Sequence, residues 1–415
     1  MLSVFVNAWK VKEIRKKIMY VLLMLLIYRI GCHIPLPGLN GAALIAAQAN
    51  STQSLFALIA SGGTGTIFYM GIGPYITSSI IMQLLTVAIP KLEQIQKEGE
   101  EGRKKINQYT RVVAVALSAI QAIATVYSLH TLFLYQNIFV YIVAIVALIT
   151  GTMFIMWISE LLTEKAIGNG SSFIIFANIL SGLPQAVQAL YYEAISGGVL
   201  TILKVVAMIV LFVGVIAFVV LIQDGERRIP VQYSKKMVGK QMFGGQSSFI
   251  PIKVNIAGVM SIIFAISLLQ FPQQVAQWWN PAWLQSAVDV LQITHPVGAV
   301  LYVILIFCFT FFYTSFAVNP VEMAENMKKN GGFIPGIRPG RPTSDFIDRS
   351  IDRLSWIGAI FYAALAMVPV LIQWIFGIPA GFGGTTLLIV VGVALELNKQ
   401  LESQLLMRHY KGFLN

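Results

Sequence analysis

Basic charge alternates between the gaps of this chain, and that pattern limits its fold more than any other feature. Ten apolar stretches stand out in its 415 residues, at about 18–38, 67–89, 112–133, 138–162, 172–191, 199–222, 254–271, 297–318, 354–376 and 382–398. Several reach the roughly 20 residues that an α-helix needs to cross a bilayer. Counted from the basic N-terminus, every second gap and the two tails hold all 29 Lys and Arg except Arg29 and Lys204. Arg29 lies inside the first stretch and Lys204 near the start of the sixth. Translocating Lys and Arg is unfavourable, so the charge-rich side is cytoplasmic. The expectation is an all-α integral membrane protein of ten transmembrane helices with both termini in the cytoplasm.

Composition excludes several classes. The chain is 57% hydrophobic and 11% charged, whereas a soluble domain carries about 25% charged residues. The net charge of +11 sits in gaps beside spans, where it would meet anionic lipids and cytosolic partners; nucleic acid is not expected as the direct ligand. Cys32 and Cys308 both fall in apolar stretches, and His33, His130, His295 and His409 are scattered. No disulfide framework or zinc site is expected from them. Gly62–Gly63–Thr64–Gly65 and Gly71–Ile72–Gly73 are not followed by a Lys-Ser/Thr pair, so we expect no nucleotide site, cofactor or catalytic constellation. Nearly all Asp and Glu lie in cytoplasmic gaps or at helix ends; Glu193 and Asp289 fall outside, and Glu396 lies near the end of the tenth stretch. An ion-coupled carrier buries acids at mid-membrane. Their absence argues against a secondary transporter of a small solute, the alternative that a five-plus-five topology alone would suit.

Five spans per half bring the halves in from opposite sides, which permits an inverted repeat with a path at the repeat interface. The halves are residues 1–195 and 196–415, hinged at Ser196–Gly197–Gly198. Residues 1–17 carry Lys10, Lys12, Arg15, Lys16 and Lys17 among apolar residues, which suits an amphipathic helix on the inner surface. The outer gap 39–66 has no charged residue. Either it is re-entrant, folded into a cavity between helices, or it is a neutral loop lying on the protein. The outer gap 272–296, with Trp278, Trp279 and Trp283, reads as an interfacial aromatic belt. The cytoplasmic gaps 91–111, 223–253 and 319–353 are basic and longer than bundle turns require, so they are candidate docking fingers.

A series of motifs runs in order from the first stretch to the tenth. It begins with Arg29–Ile30–Gly31 leading to Ile34–Pro35–Leu36–Pro37–Gly38, and Met70–Gly71–Ile72–Gly73–Pro74–Tyr75–Ile76 leading to Gln83–Leu84–Leu85. Glu98–Gly99–Glu100 with Gln108–Tyr109–Thr110–Arg111, and Ile167–Gly168–Asn169–Gly170, come next. Gln246–Ser247–Ser248 with Lys253–Val254–Asn255–Ile256–Ala257–Gly258 follows, then Phe333–Ile334–Pro335–Gly336–Ile337–Arg338–Pro339–Gly340, and Gly383–Gly384–Thr385 with Leu387–Leu388–Ile389–Val390. In this order and spacing the chain resembles the SecY family, channel subunits of the bacterial Sec protein-translocating machinery.

The resemblance implies an hourglass channel of two inverted five-helix halves that passes unfolded polypeptides across the membrane and releases apolar segments sideways into lipid. By motif position, its apolar waist becomes Ile72, Ile76, Ile175, Ile263 and Ile389, with Ser171 at a position where isoleucine is more usual and Ile179 or a neighbour expected to compensate. Without the resemblance, such isoleucines would be taken as lipid-facing or packing residues. Ser54, Leu55, Phe56, Ala57, Leu58, Ile59, Ala60, Ser61, Gly62, Gly63 and Thr64 match the family's plug. Thr77, Gln83, Gln121, Asn255 and Phe271 fall at lateral-gate positions between spans two and three and spans seven and eight; ordinary helix pairing is the alternative role for the polar ones. Arg227, Arg228, Lys235, Lys236, Lys240, Arg338 and Arg341 would dock the SecA ATPase or the ribosome, with Arg338 the candidate for coupling. The implied partners are SecE, SecG, SecA, the ribosome, signal peptides, unfolded secretory chains and anionic lipids, and the implied location is the bacterial plasma membrane.

Overall fold

A computed structural model describes residues 2–41, 65–166, 168–196, 198–233, 236–238, 241–243, 247–278, 282–293, 295–376 and 384–412. The plug candidates 54–64, together with Lys235, Lys240 and Gly197 of the hinge, lie outside them. Every one of the ten apolar stretches carries a helix. After α1 (Leu2–Lys10), these are α2 (Lys12–Gly31), α3 (Gly73–Ala88), α5 (Glu100–Ser128), α6 (Ile138–Lys165), α7 (Gly170–Ser196), α8 (Gly198–Asp224), α9 (Met260–Trp278), α11 (Pro296–Ala317), α13 (Arg341–Phe376) and α14 (Gly384–Gly412). Between them lie α4 (Pro90–Lys97), α10 (Ala282–Leu291) and α12 (Pro320–Lys329). Among the described residues, five helices are long and apolar enough to cross a membrane, or six if α3 and α4, bent by 101° at Ile89, count as one span. Proline at the start of α4 explains the break, since the residue before a proline avoids the helical region.

Two compact units divide the chain. One comprises residues 1–196, 270–288 and 393–415; the other comprises 197–269 and 289–392. In the first unit, a cluster of Leu36, Leu39, Met70, Ala122, Val126, Phe133, Ala144 and Leu148 joins α5, α6 and the segment leading into α3. The α1–α2 junction packs on α14 through Ala8, Ile14 and Leu401. The basic N-terminal segment is therefore not one amphipathic helix: it breaks at Val11, and Lys12, Arg15, Lys16 and Lys17 form the opening turns of α2.

The two longer basic gaps carry regular structure. Residues 226–253 form the strands β1 (Glu226–Tyr233), β2 (Lys236–Val238), β3 (Gln241–Phe243) and β4 (Ser247–Lys253), with β1 antiparallel to β4. Burial alternates along β1: Ile229 and Val231 are buried while Arg228 and Pro230 are exposed, the period of a half-buried strand. A fifth strand, β5 (Gly332–Phe333), pairs Phe333 with Gln232, so the sheet runs β4-β1-β5 and ties the two gaps together. Beneath it lies one core of Ile229, Val231, Ile252, Met327, Ile334, Ile347, Ile351 and Leu354. Five of these eight residues come from α12, the segment after β5, and α13. The 36 residues of α13 make a helix of about 54 Å at 1.5 Å per residue, well beyond a bilayer core of about 30 Å. The surplus carries Ile347 and Ile351 out to the sheet. In the gap 272–296, α9 continues to Trp278 and α10 follows.

Candidate functional site: seal, gate and docking residues

Ile72 stands at the entrance of α3 because the segment before it is pinned. Leu36 N–H donates to Gly65 O at 2.9 Å and Ile67 N–H to Ile34 O at 3.1 Å. The Phe68 ring stacks on Tyr28 and on Phe154, at 5.9 Å in both cases. It lies where a side chain on Gly31 would sit, and a side chain on Gly151 would strike the Ile67 carbonyl. Both positions need glycine for close approach. Gly71, at φ +54°, then takes the left-handed turn that a side chain disfavours, and Pro74 sits in the first turn of α3, where its missing N–H is not needed. Ile72 and Ile76, four residues apart, share one helix face.

The other candidate seal residues are placed as follows. Ile175 lies on α7, one turn after Ser171. The Ser171 hydroxyl is hydrogen-bonded to the Ser159 hydroxyl of α6 at 2.9 Å, and Gly170 N–H donates to Thr163 Oγ1. Serine at 171 thus serves the contact between α6 and α7. Ile179 is also buried. In the second unit, Ile263 lies one turn into α9 and Ile389 near the start of α14. Exposure is 1% at Ile72, 7% at Ile76, 4% at Ile175, 7% at Ile263 and 2% at Ile389. Isoleucines on the outer faces of the apolar helices are far more exposed, as Ile123 at 56%, Ile142 at 53% and Ile209 at 51% are. The five candidates therefore face protein.

Thr77 is half-buried and donates to Gly73 O at 3.1 Å within α3. Gln83 Nε2 donates to Ser79 Oγ at 3.4 Å, while Gln83 Oε1 is buried with no partner among the described residues; the same holds for Asn255 Oδ1, in the turn between β4 and α9. An orphaned buried acceptor costs about 1–3 kcal/mol. Gln121 is half-buried and engaged in an interaction of its own on α5. Phe271 on α9 is exposed.

Arg338 stands exposed on a stiff tip. Ile334 is buried and Ile337 packs partly against the same core, so the turn has a fixed underside. Gly336 and Gly340 take φ of +82° and +109°, Pro335 and Pro339 have locked φ angles and Pro339 also restricts Arg338 before it, and Thr343 Oγ1 donates to Arg338 O at 2.8 Å. Arg341 is exposed at the start of α13. On β1, Arg227 and Arg228 are exposed; Arg228 pairs with Glu226 at 2.7 Å and lies over the Phe249 ring at 4.8 Å. Lys236 lies on β2.

Two buried residues were not singled out from sequence. Tyr28 Oη donates to Asn178 Oδ1 at 2.6 Å between α2 and α7. An asparagine in the middle of an apolar stretch was the available signal, because polar groups inside a membrane are costly unless partnered.

The family model described as SecY matches residues 66–398. The protein translocase subunit SecY of Streptomyces galbus is 41% identical over 442 aligned residues, covering 100% of both chains. That of Bacillus subtilis strain 168 is 42% identical, covering 98% of each. Among solved structures, a protein-conducting channel aligns with a TM-score of 0.69 at 20% identity, over 93% of this chain and 91% of that one. Sec61 from a canine ribosome-channel complex aligns with a TM-score of 0.63 at 18% identity, over 93% and 91%. These two likenesses establish the fold.

Proposed function

The chain belongs to the SecY family, and from that premise we propose that Ile72, Ile76, Ile175, Ile263 and Ile389 form the apolar seal of its pore. The protein is a multi-pass membrane subunit of a protein translocase and acts as a protein-conducting channel. No observation favours the small-solute carrier. The observation that carries the seal is the burial of all five isoleucines. A dry apolar constriction resists ions, and side chains without hydrogen-bonding groups can mould around a passing peptide without holding it.

Unfolded secretory chains led by signal peptides pass through this seal, and residues 54–64 plug it at rest. Two inverted halves, 1–195 and 196–415, enclose the path. A lateral gate at Thr77, Gln83, Gln121, Asn255 and Phe271 releases apolar segments into lipid; the orphaned oxygens of Gln83 and Asn255 support it, as groups whose partners change with gate state. SecE and SecG accompany the chain in the membrane. SecA or the ribosome docks on Arg227, Arg228, Lys235, Lys236, Lys240, Arg338 and Arg341, and supplies the energy. Likeness in fold to a channel solved on a ribosome supports that docking face. The clustering of Lys and Arg supports cytoplasmic termini in a bacterial plasma membrane, with anionic lipids against the basic gaps.

Reconstitution in vesicles with SecE, SecA, ATP and one secretory precursor tests the whole reading. The precursor should become protected from external protease only when all components are present. Ion-gradient-driven solute uptake, with no precursor protection, would overturn it.

A further inference from the structure

Within the first unit, the assigned seal residues sit on two separate elements: Ile72 and Ile76 on α3, Ile175 on α7. One side chain touches the supports of both, and it belongs to neither. Tyr28 of α2 is fully buried. Its ring lies nearly parallel to Phe68, at 5.9 Å and 7°. Phe68 is four residues before Ile72, and its carbonyl accepts from Gly71 N–H at 2.8 Å, so the seating of Phe68 sets the turn that delivers Ile72. The hydroxyl of the same tyrosine donates to Asn178 Oδ1 at 2.6 Å. Asn178 is three residues beyond Ile175 on α7, a neighbour on the helix surface.

We propose that Tyr28 is a positioning residue that holds the α3 and α7 portions of the seal in register through Phe68 and Asn178. The inference rests on the isoleucine-seal reading. A buried phenol in an apolar interior strongly favours having an acceptor, so a shift of α7 away from α3 must either break the bond to Asn178 or unstack Phe68. Interhelical hydrogen bonds in membranes are individually weak. The contact therefore biases the seal toward closure and yields when a signal segment inserts.

The test is single-channel recording in planar bilayers, with the reconstituted complex. Tyr28→Phe keeps the stack and removes the hydroxyl, with its bond to Asn178 and its contact with the Cys32 side chain; Asn178→Leu removes the bond to Tyr28 from the other side and spares the Cys32 contact, so loss of one variant to misfolding leaves the other. Each should raise the resting open probability about three- to tenfold, the population shift expected from one such bond. The double variant should leak no more than either single one. Ile72→Asn serves as the reference leak, and Tyr362→Phe, a buried phenol of the other unit, as the control for general loosening. Tight Tyr28→Phe and Asn178→Leu channels beside a leaky Ile72→Asn would overturn the lock and leave the seal standing. A tight Ile72→Asn would remove the seal, and the lock with it. Equal leak from Tyr362→Phe, or additive leak in the double variant, would also overturn the lock.

Discussion

Arg338 and Ile347 show how much at the residue scale depends on what lies beneath a side chain. Arg338 is exposed, yet its backbone is held by two positive-φ glycines, two prolines and the Thr343 hydroxyl, so a force applied to the guanidinium is not lost in a slack loop. Reversing its charge with Arg338→Glu should abolish SecA-driven precursor uptake by vesicles while the protein still inserts and binds SecE. Normal ATP-driven uptake would remove Arg338 from the coupling role. Ile347 is fully buried on α13 beneath the same tip. Truncation there forfeits apolar contacts and leaves a cavity, so Ile347→Ala should destabilise this sheet-and-helix module by about 2–4 kcal/mol. Limited proteolysis along the temperature axis reads this directly: cleavage between β5 and α13 should begin at a lower temperature than in the parent.

The helices were legible at the scale of elements, and the strands were not. Length and apolarity mark a membrane span without regard to neighbours, which is why all ten stretches coincide with helices. Residues 226–253 read first as basic charge, and the Ile229–Val231 and Ile250–Ile252 alternation is masked by the Arg and Lys around it. The β1–β5 pairing joins residues about 100 positions apart, a separation that no local pattern reports. The Tyr28–Asn178 bond spans 150 positions and was hidden for the same reason. Candidate seal positions were legible only through family motifs, since an isoleucine in an apolar run carries no sign of which face it occupies; burial supplied that sign. The lateral gate remains an assignment of elements, α3 against α9. Thr77→Cys with Phe271→Cys, in a background of Cys32→Ser and Cys308→Ser, should crosslink in the closed state and block insertion of a signal sequence, with reduction restoring it. Failure to crosslink in any state would exclude this pairing of helices.

For the whole molecule, the question is which part keeps ions out while a chain of any sequence is let through. A charged or hydrogen-bonding filter would select among peptides, whereas a ring of isoleucine excludes only by shape and dryness. A single apolar constriction is thin, and any side chain leaving it opens a wet path, which gives the neutral segment 54–64 its proposed role as a second, independent barrier. The two barriers have different signatures. Asn at Ile72, Ile175, Ile263 or Ile389 should wet the constriction, raise resting conductance and let precursors with weak signal sequences pass more readily. Deleting residues 54–64 should raise resting conductance without slowing SecA-driven transport, because a plug obstructs the path and contributes no pulling. Combining the deletion with Ile72→Asn should leak more than either change alone. Planar-bilayer conductance of the reconstituted complex, measured with and without a precursor, separates the cases. If Asn at all four positions left resting bilayers as tight as the parent, the constriction would not be the seal, and the plug or another stretch of the path would have to carry it. If the deletion abolished transport instead of adding leak, residues 54–64 would be part of the moving machinery and not a stopper.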